Sequence, residues 1–179
     1  MTEKRLSQIT QMCDHVEIDD IIYAKEQILK VICNDPDLLE VLDNKELINN
    51  NAIPEDYHNV CIFSFLKIPY IQSKVQNYIC FDVNDIEPTY YNNVMMTKQV
   101  IFRCVSHEKS VNTEYGIDRQ DLLGYLIKDD FQWSNNCGFH MKKTYDAGRI
   151  AENGYYYREI HFIMTNPSGL KNGRSFNAR

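Results

Sequence analysis

The chain has 179 residues, 44% of them hydrophobic, which suits a single domain with a core of its own. Its formal net charge of −6 argues against a grip on nucleic acid, because phosphate binding needs clustered Lys and Arg. No stretch approaches the ~18 apolar residues of a membrane-spanning helix, and seven Gly with five Pro are too few for a low-complexity chain.

Residues 1–13 are polar and read as a loose N-terminus. They hold no apolar run and no cleavage pattern, so the six cysteines are expected to be reduced and mostly buried. A helical pattern starts at Asp14, which has Glu17 at the capping spacing. Ile18, Ile21, Ile22, Ile28, Leu29 and Ile32 mark its apolar face. A second, short helix follows in "NDPDLLEVL", with Asp35 as cap and Pro36 in its first position. "DNKELINNNAIPEDYHN" reads as a polar connection, and "VCIFSFL" (60–66) as either a strand or an extended apolar segment.

Strands are expected over 77–83 and 97–107, the second being the strongest in the chain. The spacing predicts an amphipathic helix over 118–131, capped by Asp118, with Leu122, Leu123, Leu126, Ile127 and Phe131 as its stripe. Gly124 inside it points to a close backbone approach. Two more strands read over 138–146 and 155–164, joined by "AGRIAENG" (147–154) as a projecting loop. Residues 166–179 lack periodicity and read as an extended tail. The expected fold is α+β in one domain. A mainly antiparallel or mixed sheet of four to five strands is packed by an N-terminal helix pair and one further helix.

Two pieces of the chain spell C-x-x-H, Cys104 with His107 and Cys137 with His140. The four could form a zinc site. The odd offset on a strand turns Cys104 and His107 to opposite faces, however. The helix between the pairs also carries the second pair toward the other end of the sheet, so the bland reading, a buried Cys and a strand-end His, is preferred. Ser106 and His107 are neighbours and face apart, which excludes a dyad. No phosphate-cradling glycine loop and no coherent catalytic set is present, so no enzyme activity and no cofactor are expected. Tyr155 and Tyr157 share one strand face. They are exposed, as interface aromatics often are, if the opposite face of the strand meets the helix.

The segment order resembles the small neck and tail-completion proteins of tailed bacteriophages, the tail terminators and head–tail connectors. The likeness covers roughly residues 15–165. It rests on "IDDIIYAKEQILKVICNDPDLLEVL", the loop with "IPY", the strands "YICFDV" and "QVIFRCVSH", the "YGIDRQDLLGYLIKD" helix and the closing strand pair. The resemblance implies a virion structural protein, made in the host cytoplasm. It would form a homo-oligomeric ring, commonly a hexamer, against portal-side or tail-tube neighbours, with DNA passing through the lumen. It implies no catalytic residues. Ring subunits need heterologous surfaces, and the candidate interface residues are Arg149, Tyr155, Tyr157, Lys171, Arg174, Phe176 and Arg179.

Overall fold

A computed structural model describes residues 21–67, 76–86, 95–134, 136–137, 140–151 and 154–167. The first helix, α1 (Ile21–Asn34), buries Ala24, Ile28 and Ile32, one residue per turn on a single face. Ile22 lies off that face, 44% exposed. The capping pair expected at Asp14 and Glu17 lies outside the described residues. In α2 (Pro36–Leu42) the Asp35 carboxylate accepts from the backbone N–H of Asp37 at 2.8 Å and Leu38 at 3.4 Å. Pro36 stands at the start, as the sequence indicates.

The connection that follows is not featureless. It holds a short helix, α3 (Lys45–Asn49), capped by Asn44, and a 3-10 turn at Pro54–Tyr57. Leu47 is the one apolar α3 residue packed on the core, so no periodic stripe marks the helix in the sequence. Of the 60–66 segment only β1 (Ile62–Phe63) pairs as a strand.

The longer strands are β2 (Tyr78–Ile86), β3 (Met95–His107), β4 (Met141–Ile150) and β5 (Tyr155–Pro167). They make one five-stranded mixed sheet in the order β1-β2-β3-β5-β4, with β1 parallel to β2 and the other pairs antiparallel. The fold is therefore α+β as expected. Phe81, Phe102 and Ile160 are level across β2, β3 and β5, which puts them on one face.

Helix α4 (Arg119–Phe131) covers that face with Leu123, Ile127 and Phe131. Phe131 stacks on Phe102 at 5.1 Å between ring centroids, and Phe162 meets Phe102 edge-on at 5.7 Å. Leu122 and Leu126 are half-buried and line a hollow against α2 instead. Asp118 holds the cap position without a side-chain hydrogen bond, contrary to expectation. Its backbone carbonyl accepts from the N–H groups of Asp121 and Leu122, both at 2.9 Å. Gly124 does mark a close approach: a Cβ there would stand 2.6 Å from Arg158 Cδ.

The 147–154 stretch is not a projecting loop over its whole length. Ala147, Gly148, Arg149 and Ile150 pair with Glu159, Arg158, Tyr157 and Tyr156, so they belong to β4 and only 151–154 connect the strands. Ala147 and Gly148 weaken the strand signal in the sequence, and the partner strand supplies what propensity lacks. A register shift interrupts β4 between Lys143 and Tyr145. At the other end of β5, Asn166 and Pro167 pair with Met96 and Met95, so they continue the strand and are not tail. Among the described residues no helix is long and apolar enough to cross a membrane.

Candidate functional site

The two C-x-x-H pairs do not converge. Cys104 is fully buried on the α4 side of β3, level with Arg158, while His107 faces the other way and meets the Tyr155 ring at 4.8 Å. His107 Nδ1 accepts from the Lys109 backbone N–H at 3.1 Å. Cys137 is buried and His140 is exposed just before Met141, which is level with Met164. Met164 lies six residues along β5 from Arg158, about 20 Å at ~3.3 Å per residue. Among the described residues no group of three or more His, Cys, Asp or Glu could hold a metal ion.

Cys33, Cys61, Cys80, Cys104 and Cys137 are all buried and none forms a disulfide. Burial pushes the thiols of Cys33 and Cys80 up to about 11 and that of Cys61 up to about 12. Burial also raises Cys104 strongly. These groups stay protonated at neutral pH, which makes them poor nucleophiles.

On the helix side of the sheet, three cations meet one carboxylate. Arg158 grips Asp146 with Nε to Oδ1 at 2.7 Å and Nη2 to Oδ2 at 3.0 Å, while Lys128 and Lys143 each reach Oδ2 at 3.2 Å. Burial opposes ionisation of Asp146, but this array holds its carboxyl well below the usual carboxylate range. Arg158 Nη1 also reaches Asp121 Oδ1 at 3.3 Å, so the knot ties α4 to the β4–β5 hairpin.

The opposite face of β3, β5 and β4 carries no described helix. The Arg103 Nε donates to Glu159 Oε2 at 2.6 Å, and Glu159 Oε1 lies 3.1 Å from His161 Nε2. Burial works against the charge on Glu159, yet Arg103 and His161 hold its carboxyl below its usual value. Tyr145 packs on His161 at 4.7 Å, the Arg149 Nη2 donates to Tyr145 Oη at 2.6 Å, and Arg103 sits 5.5 Å from the Tyr157 ring. Tyr145 is the β4 residue level with His161.

Of the expected interface residues, Arg149 and Tyr157 share this face, Arg149 exposed and Tyr157 half-buried. Tyr155 shares the face but is only 3% exposed, because His107 and its neighbours cover it. Lys171, Arg174, Phe176 and Arg179 lie outside the described residues. Arg103, Gln99, Tyr145 and His161 join the face only through cross-strand register, and alternation within one strand could not have found them.

The outer helical surface has the opposite sign. Asp35, Asp37 and Glu40 lie on or next to α2, and Asp118, Asp121, Asp129 and Asp130 on or next to α4. Asp130 Oδ2 is buried without a hydrogen-bond partner. Burial, then the charge and hydrogen bond of Asp35, raise the Asp130 carboxyl to about 7, with Asp129 and Asp37 adding to the effect. A polar hollow of about 890 Å³ opens between Asn44, Lys67, Asn77 and Lys109, with Arg119 at its edge. Arg119 is spent on structure. It donates to the carbonyls of Ser110 and Val41 and lies 3.4 Å from Asp43 Oδ2.

A family model described as YomW matches residues 17–164. The name is a Bacillus phage SPBc2-like gene name and points to a phage-derived protein. No curated protein matches the chain.

Proposed function

The chain belongs to the YomW family, and from that premise we propose that it is a non-enzymatic structural protein of the phage neck that assembles into a homo-oligomeric ring. The resemblance in segment order supports this reading, and within it the tail terminator is favoured over the head–tail connector. The observation that carries it is the pair of unlike surfaces on one domain. One sheet face presents Arg149, Tyr145 and Tyr157, and the helical surface presents Asp118, Asp121 and Asp129. Unlike patches suit a head-to-tail contact, in which each copy offers a different surface to each neighbour, and rotation closes the ring. The partners are then further copies, together with portal-side or tail-tube proteins. An acidic chain suits a lumen through which DNA slides without sticking.

Light scattering and negative-stain microscopy of the purified chain test the ring, with fractionated virions as the companion sample. The expected result is a closed oligomer, or a monomer that is recovered in virions at ring stoichiometry. A chain that stays monomeric and is absent from virions refutes the reading.

A further inference from the structure

The outer helical surface carries a hollow that no described element fills. Between α2 and α4, Val41, Leu122, Leu126 and Tyr115 line an open hollow of about 270 Å³, and Asp37 and Glu40 stand on its rim. Tyr115 is 58% exposed, and its hydroxyl donates to Glu40 Oε1 at 3.1 Å. Beyond the hollow the acidic run continues through Asp129 and Asp130. An apolar floor with an acidic rim fits an extended segment that alternates apolar anchors with cations.

Residues 168–179 have that composition. The segment "SGLKNGRSFNAR" carries Lys171, Arg174 and Arg179, no acidic side chain, and the apolar residues Leu170 and Phe176. The N-terminal residues 1–20 have the wrong sign, with Glu3, Asp14, Glu17, Asp19 and Asp20 against Lys4 and Arg5. Reach is sufficient. The segment leaves β5 at Pro167, three residues past Met164, and Met164 is level with Met141, whose carbonyl accepts from Trp133 just after α4. A dozen extended residues span up to about 40 Å, and α4 is about 20 Å long.

We propose that residues 168–179 dock in the α2–α4 hollow, with Phe176 against Leu122, Leu126 and Tyr115, and Arg174 beside Asp37 and Glu40. The chain's own segment fills the groove, since its dozen extended residues exceed the length of α4. The contact stands or falls apart from ring assembly.

The test uses the full chain with a photo-crosslinking phenylalanine analogue in place of Phe176. Cross-linked peptides are mapped by mass spectrometry. Adducts are expected on the peptides that hold Glu40–Val41 and Leu122–Leu126. Glu40→Lys should lower their yield about threefold to fivefold, as an exposed ion pair allows, and so should Arg174→Glu. Combining the two should restore the yield. Adducts confined to Tyr145, Arg149 or Tyr157, or a yield that neither charge reversal moves, overturn the proposal. Mixtures of light and heavy-isotope chains should give adducts within one chain, and adducts between chains overturn the proposal; neither readout depends on ring assembly.

Discussion

Replacing Asp130 with Asn should stabilise the protein, and more so as the pH rises. The carboxyl is raised from 3.8 to about 7, first by burial and then by Asp35, Asp129 and Asp37. A folded-state value above the unfolded one means that the native state binds the proton more tightly. Stability is therefore undiminished below about pH 4 and is lost progressively until about pH 7, where the penalty is complete. Three units correspond to about 4 kcal/mol. Asp130 is only partly buried, and solvent screening reduces the figure to about 1–2 kcal/mol.

Asn cannot ionise, and its amide can donate to Asp35 as the protonated acid does. Urea denaturation of both proteins at pH 8 should show that gain, or about 3–6 °C in thermal midpoint for a chain of this size. At pH 5 the gain should fall to roughly a third of its value at pH 8. A gain equal at both pH values, or a loss at pH 8, refutes the account of Asp130 as a repelled carboxyl.

Asp146→Ala should cost about 3 kcal/mol at pH 7, since it leaves Arg158, Lys128 and Lys143 around an empty centre. Because the native carboxyl is held low, its contribution is present above about pH 4 and fades below it, so the gap to the parent protein should narrow in denaturation curves near pH 2. Gly124→Ala gains about 1 kcal/mol of helix propensity but drives a methyl to 2.6 Å from an Arg158 stem fixed by its carboxylate; a net loss of about 1–2 kcal/mol is expected by calorimetry. Metal analysis of the gently purified chain should find under about 0.1 zinc per chain, and a stoichiometric value would restore the C-x-x-H reading. Arg149→Glu combined with Tyr157→Ala should weaken the ring in light scattering while leaving the circular dichroism spectrum unchanged.

Periodicity made the long elements readable. Leu123, Ile127 and Phe131 announce α4, and the alternation of Phe102, Cys104 and Ser106 against Arg103 and Val105 places β3. Capping chemistry fixed Asp35 and Pro36 for a local reason, since both act within three residues of their own position. What escaped was non-local. Ala147 and Gly148 are strand residues only because β5 pairs with them. α3 has no apolar stripe of its own. Tyr155 reads as an exposed aromatic from its own strand alone, and His107, on another strand, packs against it. The Asp146 knot draws on α4, β4 and β5 at once, and no single window of sequence contains it.

The interruption of β4 between Lys143 and Tyr145 bears on how copies can add to one another. Open sheet edges are where identical chains zip into ribbons, and a kinked, lysine-bearing edge resists that growth. Lys142 and Lys143 stand at the start of β4 beside the kink, and the other rim of the sheet is the two-residue β1. The β4 rim is therefore not a long straight template. The kinked β4 rim thus hinders edge-to-edge growth, and the surfaces free of that hindrance are the faces of the sheet and helices.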